Sequence, residues 1–315
     1  MKNIFKYIFI TLFLVIFFAA FSAVAQIPDG PNELKVGEGL YNAEIYVDNG
    51  VYKKTTKRWT DAISAASFNS TSWIWNLEGR DKLHKNKRRD TILVVPDTAI
   101  PEDITLIVWF HGLNGFKPKT FGKRLVPQME DLVSSNNSFA VAIPEMPWSI
   151  NTSTRHGRQG KVWLKPGELE RYIDSLKERL EIWAILKYGQ SIDQVRVIFV
   201  GHSAGGSAIK ASAKEGGLCR VSPEAIVWSD ASYGRWLDSA WNGCIKNMNK
   251  DTELHILVRK WDPPYKSAER AMRFINRHKN GPNVLYQVLS GKDGWTHGRI
   301  GNNAISIANL FPPGC

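Results

Sequence analysis

A serine, a histidine and an aspartate, each close to the end of a predicted strand, carry the chemistry this chain offers. Ser203 stands in Gly201-His202-Ser203-Ala204-Gly205-Gly206, directly after the run Val195-Arg-Val-Ile-Phe-Val200 and directly before Ser207-Ala-Ile-Lys-Ala-Ser-Ala-Lys214. The first run has the β-branched and aromatic content of a strand buried on both faces, and the last reads as a helix of small residues. A G-x-S-x-G turn between strand and helix lifts its serine out at the carboxyl edge of a sheet. Glycines at 201 and 205 permit the sharp turn, and the amino end of the following helix favours negative charge there. Without that setting the same five residues are an ordinary Gly/Ser turn.

A serine hydroxyl attacks only if a base takes its proton, a third group orients the base and donors await the oxyanion. Downstream of Ser203 the histidines are His255, His278 and His297. His255 falls inside a predicted strand and His278 at a helix end. His297 lies in Gly294-Trp-Thr-His-Gly298, a loop between the last strand and the last helix, and is the expected base. For the acid the sequence offers two positions. Asp230 closes the strand Ala225-Ile-Val-Trp228, and Asp262 follows Leu254-His-Ile-Leu-Val258 by a few residues. Asp262-Pro263-Pro264 is also explained as a helix N-cap with proline at the first helical position, so Asp230 is slightly preferred and Asp262 stays open. The backbone N–H of Ala204 is one expected oxyanion donor. Leu113, in His111-Gly112-Leu113-Asn114-Gly115 after the strand Ile104–Phe110, supplies the second. His111 and His202 are expected to be structural neighbours of the site and not bases.

These residues need a scaffold of strands alternating with helices. Strands are expected at 40–47 (an edge strand), 91–95, 104–110, 138–143, 195–200, 225–228, 254–258 and 284–288. Helices are expected at 168–187, where Leu169, Ile173, Leu176, Leu180, Trp183 and Leu186 recur on one face, at about 265–278 and near 300–310. Such alternation predicts an α/β fold with a mainly parallel central sheet and helices on both faces. The chain reads as one catalytic domain over 91–315, joined to an edge strand and a basic loop region over 26–90. Residues 51–90 have no assigned structure at this level.

Residues 1–25 are set apart from that domain. Lys2 and Lys6 precede an apolar run from Ile8 to Phe21, and Ala23-Val24-Ala25 is an A-x-A cleavage signal, the pattern of a secretory signal peptide. An uncleaved membrane anchor is the alternative, and no later segment reaches membrane-spanning length. The expected location is periplasmic or secreted, where disulfides persist. Of Cys219, Cys244 and Cys315, the first two are the preferred pair. Cysteine and paired histidine are too scarce for a structural zinc site, and no metal or other cofactor is expected. The net charge is +11, concentrated partly in Lys82–Arg89. That run suits an anionic cell-envelope surface, or is simply a solvated loop; no nucleic-acid-binding module accompanies it. Tryptophans 148, 163, 236, 241, 261 and 295 fall in segments after strands or in the loop 148–167, where ligands of open α/β sheets bind. Trp148 and Trp295 suit an acyl chain, an aromatic acid or a sugar face, and Arg155 a substrate carboxylate; packing and solvation explain such residues equally well.

With H-G-x-x-G at 111–115, G-H-S-A-G-G at 201–206 and T-H-G at 296–298, the chain resembles α/β-hydrolase fold serine esterases. The segment Tyr188-Gly-Gln-Ser-Ile-Asp193, leading into Arg196-Val-Ile-Phe-Val-Gly-His-Ser-Ala-Gly-Gly206, is most similar to secreted esterases of the polyhydroxybutyrate-depolymerase and feruloyl-esterase type. The resemblance implies cleavage of a small-molecule or polymer-linked acyl ester, with attack by Ser203 and proton transfer by His297. No glycine-x-x-aspartate signature marks the acid. Two other classes remain open on the sequence: a peptidase or amidase of cell-wall material using the same triad, and a non-catalytic envelope-binding protein on a hydrolase scaffold.

Overall fold

The computed structural model describes residues 34–36, 42–48, 51, 53–77, 90–113, 115–146, 161–278 and 281–311. The expected signal peptide, the Lys82–Arg89 run, Trp148, Arg155 and Cys315 lie outside them. Among these residues ten strands form one sheet: β1 (Leu34–Val36), β2 (Ala43–Val47), β3 (Ser70–Asn76), β4 (Asp90–Pro96), β5 (Ile104–Phe110), β6 (Phe139–Pro144), β7 (Val195–His202), β8 (Ala225–Ser229), β9 (Glu253–Arg259) and β10 (Asn283–Leu289). Their order across the sheet is β1-β2-β3-β4-β6-β5-β7-β8-β9-β10. From β6 through β5 to β10 every pairing is parallel; β1–β2, β3–β4 and β4–β6 are antiparallel. This is the expected mainly parallel sheet.

Helices cover both faces: α1 (Lys53–Ser64), α2 (Pro118–Arg124), α3 (Val126–Ser134), α4 (Glu168–Tyr188), α5 (Gly206–Glu215), α6 (Gly217–Val221), α7 (Trp236–Gly243), α8 (Pro263–Ile275), α9 (His297–Asn302) and α10 (Ala304–Ala308). The central strands β4, β5 and β6 are buried along their whole length, which is why they read as unbroken apolar runs. Their side chains alternate between two cores. Leu106, Val108 and Phe110 face the α4 residues Leu169, Ile173, Leu176, Leu180 and Trp183. Ile107 and Trp109 face Trp59 of α1, Met129 of α3 and Ile300 of α9. Each such fully buried aliphatic or aromatic side chain contributes about 1.5–3 kcal/mol relative to leaving it in water.

Three expectations are corrected. The strand over 40–47 is not an edge: β2 lies between β1 and β3, and Ile45 at its centre is fully buried. The region 51–90 is not merely a basic loop, for it contains α1 and β3, and its tryptophans 59, 73 and 75 are core residues. The expected last helix is broken into α9 and α10 around Asn303, and its first turn begins at His297.

Cys219 of α6 and Cys244, just past α7, form the expected disulfide, with Cα atoms 6.1 Å apart. The bridge spans 25 residues of chain, and closing a loop of that length in the unfolded state is worth about 3 kcal/mol. Replacing both cysteines by alanine is therefore expected to lower unfolding free energy by that amount in a urea titration, without moving the residues around Ser203. An unchanged urea midpoint would remove the bridge from the account of stability.

Candidate active site

Chain order changes direction across the sheet between β5 and its neighbours: β6 lies on one side and β7 on the other. In open α/β sheets ligands bind beyond the carboxyl ends of strands at such a switch point. The loops after β5, β7, β8 and β10 bring the sequence-predicted residues there.

Register sets the heights. Phe110 pairs with Gly201, and His202 pairs with Ser229, so Gly112, Ser203 and Asp230 leave neighbouring strands at nearly the same level. Ser203 has φ +54° and Asp230 φ +48°, left-handed conformations that cost a non-glycine residue on the order of 1–2 kcal/mol. The turn at Ser203 is forced by close packing. A β-carbon on Gly205 would stand 2.0 Å from the Phe110 carbonyl oxygen, and one on Gly112 would stand 3.1 Å from Ser203 Cβ. The His111–Leu113 loop and the elbow therefore touch through glycine on both sides. Ser203 is only 8% exposed.

His297 Nδ1 lies 2.6 Å from Asp230 Oδ2. Nδ1–H donates to the carboxylate, which leaves Nε2 to accept a proton. Asp230 is fully buried, and its other oxygen, Oδ1, accepts from the Arg259 amide at 3.2 Å. Its own amide donates to the Leu257 carbonyl at 2.7 Å. A buried carboxylate held at both oxygens is fixed in place and can stabilise an imidazolium beside it. His297 is the first residue of α9, where Thr296 caps the helix through a hydrogen bond from the Arg299 amide to Thr296 Oγ1.

Asp262 is not part of this cluster. It occupies the N-cap position of α8 with Pro263 after it, but its carboxylate turns to Arg259 Nη1 at 3.1 Å instead of to the helix amides. The physical reason is reach: β9 runs on to Arg259, whose own amide faces Asp230, while its side chain draws Asp262 away. Three other described histidines, His255, His278 and His111, hold structural contacts. His255 Nε2 meets Glu253 Oε2 at 2.8 Å, and His278 Nδ1 donates to the Phe274 carbonyl at 3.0 Å. His111 Nε2 accepts from the Met146 amide at 3.1 Å, so Nδ1–H donates to the Gly112 carbonyl at 2.7 Å. Burial pushes its pKa down to about 4, which keeps it a neutral brace for the His111–Leu113 loop.

The expected oxyanion donors fall beside Ser203: Ala204 is the next residue, fully buried, and Leu113 follows the Gly112 contact with its side chain exposed. The tryptophans divide. Trp163 and Trp241 are core residues, with Trp163 edge-on to Phe110, so neither is a ligand contact. Trp295 is half-buried against the α9 side of the core, and the Arg299 guanidinium lies 4.7 Å from its ring centre. Trp261, two residues past β9, is 74% exposed at φ +74°.

Tyr233 belongs to the site and was not singled out from the sequence, where Ala231-Ser-Tyr-Gly234 reads as a turn. Its phenol is close enough to Ser203 for the serine side chain to act on its pKa, lowering it. Burial, and next the carboxylates of Asp230 and Asp262, raise its pKa, so it stays protonated at neutral pH. Among the described residues no cluster of three or more histidine, cysteine or carboxylate side chains is placed to hold a metal ion.

No family model matches the chain, and no curated protein matches it. Solved structures do. The enterobactin and salmochelin hydrolase IroE superposes with a TM-score of 0.51 at 15% identity, over 80% of this chain and 98% of that one. A fluorophosphonate-binding serine hydrolase of Staphylococcus aureus, FphF, gives 0.47 at 13% identity, over 76% and 97%. A ferulic acid esterase gives 0.45 at 12%, over 77% and 97%. With its sheet order, its strained serine elbow and this likeness to solved structures, the chain has the α/β-hydrolase fold.

Proposed function

We propose that this protein is an exported serine hydrolase that cleaves carboxylic esters through an acyl-enzyme on Ser203. The observation that carries the reading is the 2.6 Å contact between His297 Nδ1 and the buried Asp230 carboxylate, on loops that flank the strained Ser203 turn. In this reading His297 Nε2 takes the Ser203 proton as Oγ bonds to the acyl carbon. The amides of Ala204 and Leu113 receive the oxyanion, and the imidazolium returns the proton to the departing alcohol. Water, activated by the same nitrogen, then releases the acid and restores Ser203. The motif resemblance to secreted esterases supports esters over amides.

Export is supported by the basic, apolar and A-x-A pattern of residues 1–25 and by the Cys219–Cys244 disulfide, which persists in oxidising compartments. No described helix is long and apolar enough to cross a membrane.

The test is hydrolysis of a p-nitrophenyl ester series, from acetate to longer acyl chains, by the chain lacking residues 1–25. Saturable release of p-nitrophenol well above the buffer rate is expected for at least one member. Rates equal to buffer throughout would contradict the reading.

A further inference from the structure

His202 is buried between the elbow and the helix that begins with His297, and its ring nitrogens meet Arg124 and the His297 carbonyl. Arg124 Nη1, at the end of α2, lies 2.8 Å from Nδ1 and 3.4 Å from Nε2. The His297 carbonyl oxygen lies 3.1 Å from Nε2 and only accepts, so the ring proton sits on Nε2. Nε2–H donates to that carbonyl, which leaves Nδ1, the nitrogen nearer the Arg124 guanidinium, unprotonated. The rings of His202 and His297 are in contact, with centroids 4.7 Å apart. Space is matched to this arrangement: a β-carbon on Gly301, one turn into α9, would stand 2.4 Å from His202 Cδ2. Behind it, the buried Gln128 of α3 donates to the Arg124 carbonyl at 2.6 Å and accepts from the Ile305 amide at 3.0 Å, so the α2–α3 segment is tied to α10 as well.

We propose that Arg124 and His202 form a positioning unit that fixes the backbone of His297, with His202 Nε2–H clamping the His297 carbonyl and the Arg124 guanidinium held against the same ring. The role rests on the reading of His297 as the base. It explains why a charged side chain is brought half-buried beside an imidazole, an arrangement that otherwise only costs desolvation. The charged and titratable groups that face His202 are Arg124 from α2 and His297 from α9, with Asp230 behind His297. Burial first, and then the Arg124 charge, hold the His202 pKa well below its ordinary value, so the ring stays neutral and keeps its acceptor for Arg124. Without Arg124 the His202 pKa rises. A second positive charge then forms beside His297 as pH falls, and opposes formation of the His297 imidazolium.

The test is the rate at which a fluorophosphonate labels Ser203, followed by intact mass from pH 5 to 9 and normalised to folded protein by circular dichroism. Wild type is compared with His202→Leu, His202→Gln and Arg124→Met. Loss of the clamp lets the base drift, and misplacement by about 1 Å costs up to a hundredfold, so His202→Leu is expected to label roughly 10- to 100-fold more slowly. His202→Gln, whose amide N–H reaches where Nε2–H was, is expected to recover most of that loss. Arg124→Met is expected to shift the acid limb of the profile to higher pH while approaching the wild-type rate in the alkaline range. Equal rates per folded molecule for His202→Leu and wild type would overturn the proposal, as would equal slowing in the leucine and glutamine variants. Superposable pH profiles for Arg124→Met and wild type would overturn the part given to Arg124. Should the leucine variant not fold, the glutamine and methionine variants decide on the same criteria. Wild type that takes no label would sink the hydrolase reading and this role with it, whereas labelling indifferent to residue 202 would sink this role alone.

Discussion

Ser203→Ala is expected to reduce kcat for ester hydrolysis by about a million-fold while leaving the fold intact. Removing the nucleophile of a serine triad costs on that order, because the base and the oriented acid then have no alcohol to activate. The structure gives a reason to expect an isolated effect. Ser203 contributes one hydroxyl to a turn whose shape is imposed by Gly205 against the Phe110 carbonyl and by Gly112 against the serine β-carbon. Alanine keeps that β-carbon and adds nothing at the positive φ already present. Its thermal midpoint should therefore stay within a few degrees of wild type. A variant that keeps more than about one hundredth of wild-type activity would place the nucleophile elsewhere.

The second large effect separates the two aspartates. Asp230→Asn is expected to lower kcat by about 10⁴, since an asparagine amide facing His297 Nδ1 favours the wrong tautomer and cannot stabilise the imidazolium. Asp262→Asn is expected to stay within about threefold of wild type, because that carboxylate is spent on a partly exposed pair with Arg259. Steady-state kinetics on one ester at neutral pH checks both. A loss confined to Asp262→Asn would reverse the assignment, and it would mean that the 2.6 Å contact at Asp230 is a structural one.

The features that the sequence made legible are those with a local physical signature. Strands β5 and β6 are buried along their whole length, and β7 from Val197 onward, so their apolar residues run on with little interruption. The elbow is marked by the glycines its close approaches require. His297 is recognised by its loop between the last strand and the last helix. Other features depend on contacts that spacing does not encode. Both candidate acids end adjacent strands, and only the path of β9 to Arg259 shows which carboxylate faces the base. The strand β3 was hidden because Ser70, Thr71 and Ser72 are buried polar residues within it, which breaks the apolar pattern. Helix α1 lies in a basic stretch where Trp59 and Ile63 are its fully buried anchors. Trp163 and Trp241 follow the pattern of ligand-loop aromatics yet pack into the core, since a large ring near a strand end has a hydrophobic use either way. Tyr233 resembled a turn residue, and the Arg124–His202 pair joins positions 78 residues apart.

One bond between a probe and one oxygen tests Ser203 as the nucleophile most directly. Wild type is exposed to a fluorophosphonate at neutral pH, and the intact mass and a peptide map are read. The expected result is one adduct, carried by Ser203, with fluoride as the leaving group and full occupancy of the folded protein. Folded wild type without an adduct, or with an adduct on another residue, would contradict the assignment of Ser203 as the nucleophile.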